Sequence, residues 1–199
     1  MQDTLSYTIG NKLYLNITDR CTLVCEFCPK TLGSYQVHEY DLSLNRRPEY
    51  EEIVAVIGDP TVYEQVVFCG FGEPTLRFKV LLQVAKYIKD KGGQVRLNTD
   101  GLACLVNKRD VLPEMQGLID AVSVSMNTQN EALYIQHCAP QLNGAWQAML
   151  DFLKRAPEYI PEVTATAIDG LAGVDIQQCE SLAKELKVEF RSRQLDVVG

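Results

Sequence analysis

Residues 121–127 read Ala-Val-Ser-Val-Ser-Met-Asn, with Val122, Val124 and Met126 at alternate places and Ser123, Ser125 and Asn127 between them. Successive side chains of a strand point to opposite faces, so this stretch predicts a strand with one apolar and one polar face. The division recurs upstream, where Val95 and Leu97 oppose Arg96 and Asn98, and where Leu13, Leu15 and Ile17 oppose Tyr14, Asn16 and Thr18. A parallel sheet covered by helices on both faces reads instead as continuous apolar runs. A polar parity repeated in three strands points one face of the sheet into a lumen that holds something polar.

Working outward, short apolar runs alternate with longer helical patterns along the whole chain, the signature of βα units. Six strands are predicted, approximately Lys12–Thr18, Gln65–Cys69, Gln94–Thr99, Ala121–Asn127, Glu162–Ile168 and Val188–Ser192. Pro48–Ile57 starts with a proline near the first helical position, and Arg77–Lys91 sets Leu81, Val84, Ala85 and Ile88 on one face before stopping at Gly92 and Gly93. Weaker helical patterns cover Asn107–Gln116, Gly144–Arg155 and Asp175–Lys187. Six units are too few for a closed eight-unit barrel, which takes about 250 residues. Parity then selects an α/β fold built as a partial (β/α)6, TIM-like half-barrel, expected as one domain over 1–199 with no appended unit.

An apolar content of 46% suits one buried core, and a net charge of -7 argues against a general nucleic-acid surface. No run approaches the roughly 20 apolar residues of a membrane span, and Met1–Thr8 lacks the layout of a signal peptide. A cytoplasmic location is therefore expected. The seven cysteines are odd in number, and three lie within Cys21–Cys28. In a reducing compartment that pattern reads as metal ligation rather than as a disulfide set.

The first strand runs into Cys21-Thr22-Leu23-Val24-Cys25-Glu26-Phe27-Cys28. Thiolates at such spacing can converge on one centre, and three of them on a cubane cluster leave one iron open. The alternative is structural zinc, which needs a fourth ligand; His38, ten residues after Cys28, is the nearest candidate.

The run Cys21-x3-Cys25-x2-Cys28, with Phe27 before the third cysteine, resembles the signature of the radical S-adenosylmethionine (radical SAM) superfamily. The resemblance implies a half-barrel with the cluster loop after strand 1, a 4Fe-4S cluster with three Cys ligands, and S-adenosyl-L-methionine (SAM) chelating the open iron through its amino and carboxylate groups. It further implies reductive cleavage to methionine and a 5'-deoxyadenosyl radical that abstracts hydrogen from a substrate, which is a small molecule or a protein. The electron would come from a donor such as flavodoxin or ferredoxin.

Gly70-Phe71-Gly72-Glu73-Pro74 is similar to the family's Gly-Gly-Glu-Pro motif, with Phe71 in place of the second glycine, and by that likeness Glu73 would hold the amino group of SAM. Leu97-Asn98-Thr99-Asp100-Gly101 resembles a segment by which activating enzymes reach the methionine part. Ser123, Ser125 and Asn127 match residues holding the ribose and carboxylate, and Phe27 would pack beside the adenine. Glycyl-radical activating enzymes and 7-carboxy-7-deazaguanine synthases are similar in size. The wording from Asp19 to Lys30 looks closest to the TatD-linked group. A zinc-stabilised binding module or an electron-transfer protein would need neither Glu73 nor a polar lumen.

Thr164 and Thr166 share the inward parity without diagnostic spacing. Arg191 and Arg193 either face the lumen and pair with an anionic substrate group or guard an exposed edge strand. Cys69, Cys104, Cys138 and Cys179 read as small buried hydrophobes, and His137 as a helix-surface residue.

Overall fold

Gly10 and Asn11 form a two-residue turn that folds β1 (Ser6–Ile9) back on β2 (Lys12–Leu15) as an antiparallel hairpin. Gly10, at φ 60°, supplies the left-handed conformation that such a turn requires. The structure, a computed structural model, describes residues 3–195. From β2 the sheet continues through β5 (Val66–Phe68), β6 (Val95–Thr99), β7 (Ala121–Asn127), β8 (Glu162–Asp169) and β9 (Glu189–Gln194), every neighbour parallel. A small hairpin, β3 (Gln36–Val37) and β4 (Tyr40–Asp41), stands apart.

The strand order explains the lumen. Because β2, β5, β6, β7, β8 and β9 lie in the sheet in chain order, every crossover steps the same way, and right-handed crossovers then put the helices on one face. A doubly wound sheet would reverse its order and cover both faces. The covered face carries Leu13, Leu15, Val95, Leu97, Val122, Val124 and Met126, none more than 3% exposed. Against it pack α1 (Tyr50–Ile57) through Ile53 and Ile57, α2 (Phe78–Asp90) through Leu81, Val84, Ala85 and Ile88, and α6 (Ala145–Arg155) through Met149, Phe152 and Leu153. α7 (Ile176–Glu185) is capped by Asp175, whose carboxylate accepts from the Gln177 and Gln178 N–H groups.

Four expectations need correction. The first strand stops at Leu15, and Asn16 leaves the ladder to donate its Nδ2 to the Thr4 and Leu42 carbonyls. The predicted helix Asn107–Gln116 is two short helices, α3 (Ala103–Asn107) and α4 (Leu112–Met115), because Lys108 turns left-handed and Asp110 accepts from Leu112 N–H to start again. An unpredicted helix, α5 (Glu131–Cys138), is capped by Asn130; its apolar residues follow the helical period too weakly to be read. His137 on α5 is fully buried rather than on the surface. No helix among the described residues is long and apolar enough to cross a membrane.

Candidate active site

The uncovered face of the sheet encloses a cavity of about 620 Å³, within the range usual for small-molecule sites. The polar parity lines it as the sequence predicts: Arg96 and Asn98 from β6, then Ser123, Ser125 and Asn127 from β7. Thr166 of β8 reaches the cavity, whereas Thr164, lower on the strand, does not. A register shift between Ser125 and Asn127 opens the end of β7, and Asn127 takes a positive φ of 65°, which asparagine tolerates. Cys21, Cys25, Phe27 and Cys28 line the same cavity beyond the carboxyl ends of the strands.

The Gly70–Pro74 turn is shaped by its neighbours. A Cβ on Gly72 would lie 2.2 Å from the Thr18 carbonyl oxygen and 2.7 Å from that of Arg20, and one on Gly70 would lie 2.4 Å from Asn16 Oδ1. Both glycines therefore let this turn press on the chain that leads into the cysteine loop, and Glu73 N–H donates to the Arg20 carbonyl at 2.7 Å. The Glu73 side chain does something the sequence did not reveal. Its Oε1 accepts from Thr75 N–H (2.9 Å), Thr75 Oγ1 (2.7 Å) and Thr99 Oγ1 (2.8 Å), and its Oε2 from Asp100 N–H (2.8 Å). Four donors match the roughly four acceptor sites of a carboxylate, which leaves little of it for a ligand ammonium. Glu73, 3% exposed, is a buried clamp between the ends of β5 and β6.

Asp100 lies beside it. Its Oδ1 accepts from Leu102 N–H and its Oδ2 from Thr22 Oγ1, tying the cysteine loop to the end of β6. Burial first, and the Glu73 charge second, raise the Asp100 carboxyl well above its ordinary value. A raised folded-state pKa means that the native protein binds the extra proton. This contribution to stability is therefore complete below pH 3.8 and is lost as pH rises through the raised value. Asp100→Asn, which keeps both hydrogen bonds without the charge, is expected to raise the melting temperature relative to wild type, by more at pH 8 than at pH 5. Glu73→Gln is expected to do the reverse, because its amide must face a donor wherever it points. A cost of about 1–3 kcal/mol, or roughly 2–12 °C in melting temperature, follows for the unloaded chain. Thermal unfolding of both variants at the two pH values checks the contrast.

The cysteine loop docks on α5. Val24 N–H donates to the Cys138 carbonyl and Glu26 N–H to that of His137, and Gln141 N–H returns to the Thr22 carbonyl, with Leu23 and Pro140 bridged antiparallel. His137 Nδ1 lies 2.6 Å from Glu26 Oε1 and its Nε2 lies 2.8 Å from the Ala172 carbonyl. Each ring nitrogen therefore has an oxygen acceptor within hydrogen-bonding distance, which fixes the plane of the imidazole. This pair, which sequence reading missed, pins the loop between Cys25 and Phe27.

The surroundings of Cys21 and Cys25 favour the protonated thiol. Burial and then Asp100 push Cys21 up to about 12, and a hydrogen bond to Cys138, followed by burial, pushes Cys25 up. The ligating form is the thiolate, so a metal's positive charge must offset these costs. Among the described residues no three His, Cys, Asp or Glu side chains gather closely enough for one ion. A four-iron cluster takes one thiolate per iron, so its ligands need not meet at a point. His38 sits exposed at the tip of the β3–β4 hairpin, outside the cavity wall, where it cannot complete a zinc site with these cysteines. Cys69 also lines the cavity and Cys104 is half-buried, while Cys138 and Cys179 are buried as expected.

Two atoms of the cavity wall, Asn98 Oδ1 and Arg193 Nε, are buried with no hydrogen-bond partner among the described residues. Such groups are costly unless a ligand or water completes them. Residues 15–186 match the radical SAM superfamily. This chain belongs to the radical SAM superfamily. The family implies a 4Fe-4S cluster and SAM. No curated protein matches the chain.

Among solved structures, the fold resembles that of SuiB of Streptococcus suis bound to S-adenosylmethionine, with a TM-score of 0.67 at 13% identity over 96% of this chain and 42% of that one. SuiB bound to its precursor peptide SuiA gives a TM-score of 0.66 at 14% identity over 96% and 40%. Methylornithine synthase (PylB) gives 0.55 at 12% identity over 92% and 53%. This chain thus spans 40% to 53% of those enzymes' lengths, and at such identity the likeness is one of fold. The cavity fits the implied groups: three thiols at its mouth, a polar wall with unfilled hydrogen-bonding atoms, and a volume adequate for a nucleoside-sized ligand.

Proposed function

We propose that this radical SAM protein carries a 4Fe-4S cluster on Cys21, Cys25 and Cys28, cleaves SAM reductively at the mouth of the lumen, and abstracts hydrogen from a substrate held deeper inside. The observation that carries this reading is that one cavity is lined both by the three cysteines with Phe27 and by Asn98, Ser123, Ser125 and Asn127. When bound, the cluster supplies the electron that breaks the sulfonium bond to the adenosyl carbon of SAM.

The protein's own residues do the positioning. Phe27 offers its ring to the adenine. Ser125, Asn127 and the unpartnered Asn98 Oδ1 offer hydrogen bonds to the ribose and methionine ends. Gly70, Gly72 and Pro74 shape the rim, and Glu73 keeps that rim rigid through its four bonds rather than by pairing with the ammonium group. A flavodoxin or ferredoxin would serve as electron donor. The wording from Asp19 to Lys30 supports a place near the TatD-linked group, which fixes no substrate.

The test is anaerobic loading with iron and sulfide, reduction with dithionite, addition of SAM, and chromatography for 5'-deoxyadenosine. The nucleoside is expected only after loading. A loaded cluster with no SAM binding by calorimetry would favour an electron-transfer protein, and bound zinc without visible absorbance would favour a zinc-stabilised module.

A further inference from the structure

Arg96 of β6 and Arg191 of β9 both reach the hydroxyl of Ser123, from opposite sides of β7, at 3.3 and 3.5 Å. Neither carries an ion pair, and the same holds for Arg193; the seven ion pairs among the described residues involve other groups. The cavity wall holds just two carboxylates among the described residues, Glu73 and Asp100, both at the rim beside the cysteine loop and both already occupied. Two guanidinium groups therefore converge on one neutral oxygen at the far end of a lumen in a chain whose net charge is -7. Arg191 is exposed and Arg96 half-buried, so water screens part of their repulsion, and an anion held between the two forks would offset the rest. Partial burial, and then the neighbouring Arg96, lower the proton affinity of Arg191.

We infer that Arg96, Arg191 and Ser123 form an oxyanion site that receives a carboxylate or phosphate of the substrate. The chemistry suits the residues. Arginine presents a planar fork of donors that binds such groups in pairs, and the Ser123 hydroxyl adds a third donor between the two forks. Field lines confined in the lumen steer an anion inward even though the outer surface is acidic.

The depth of the site assigns it to the substrate rather than to the cofactor. Ser123 lies four residues before Asn127, about 13 Å along the strand at roughly 3.3 Å per residue, whereas Asn127 touches Cys138 and thereby the cysteine loop. On the function proposed above, on which this inference rests, the carboxylate of SAM stays at that loop. The space between loop and floor is left for the adenosyl group and the substrate carbon it meets.

The experiment is calorimetric titration of the full chain, at constant ionic strength, with inorganic phosphate in one arm and succinate in the other. Binding in either arm is expected, and the tighter arm identifies the anionic group. Arg96→Gln and Arg191→Gln are each expected to weaken it about tenfold or more, the loss typical of one charged hydrogen-bonding partner. Arg191→Lys, which keeps the charge but not the fork, should fall between. Arg155→Gln, an exposed arginine paired with Asp110, is the control and should bind as wild type does. No binding in either arm, equal binding in the lumen variants, or displacement of the anion by SAM would overturn the assignment. Because the titration needs neither iron nor reductant, anion binding without 5'-deoxyadenosine formation would defeat the proposed function alone. The nucleoside without anion binding would defeat this inference alone.

Discussion

Cys28→Ala is expected to reduce iron and sulfide loading to background and to abolish 5'-deoxyadenosine formation, while the unloaded chain keeps its stability to within about 1 kcal/mol. Cys28 is the cleanest of the three positions to test. Its Sγ has no hydrogen-bond partner among the described residues, whereas Cys21 Sγ accepts from Leu23 N–H and the free thiol of Cys25 is hydrogen-bonded with that of Cys138. Alanine at Cys28 thus removes a ligand and little else. Cys138→Ala supplies the contrast: Cys138 is buried and adjoins Cys25, so its loss should lower the melting temperature yet leave loading possible. Iron analysis, visible absorbance and chromatography read the outcome. Loading that survives Cys28→Ala but not Cys138→Ala would reassign the ligand set.

Gly72→Ala is expected to destabilise the chain by about 3 kcal/mol or more and to impair loading as a consequence. The new methyl group would meet the Thr18 carbonyl oxygen at 2.2 Å and the Arg20 carbonyl oxygen at 2.7 Å, and both are backbone. Neither can swing aside. The bond from Glu73 N–H to Arg20 holds the two segments together, so relief of the overlap breaks the contact that seats the cysteine loop. Gly33→Ala is the comparison. Gly33 has a φ of 82° but open space around it, so only the left-handed backbone penalty of about 1 kcal/mol applies. A fall in melting temperature of roughly 6–12 °C for Gly72→Ala, with a much smaller one for Gly33→Ala, checks the argument by thermal unfolding. Equal falls would mean that the turn and the loop are not mechanically linked.

Both substitutions act on features visible in the chain before it folds. The half-barrel was legible because strand parity is local: Val122, Val124 and Met126 entered the core, and Ser123, Ser125 and Asn127 faced the cavity. The antiparallel β1 was missed, since a four-residue strand before a Gly-Asn turn offers too short a pattern to read. α5 was missed because its helical period is weak, and with it went the seat of the cysteine loop. Arg191 and Arg193 left two readings open, and the structure supports part of each. β9 is an edge strand, yet both arginines line the lumen.

The sequence by itself determined the alternation of strand faces, the spacing of Cys21, Cys25 and Cys28, the glycines of the turn after β5 and the family they signal, because each is a relation between residues close along the chain. Tertiary structure alone decided the use of Glu73 as a clamp on Asp100, 27 residues away, the burial of His137 against Glu26, 111 residues away, and the approach of Arg191 to Ser123 across 68 residues. Those contacts depend on which strands become neighbours and how far each side chain reaches across the lumen, and no local periodicity encodes either distance.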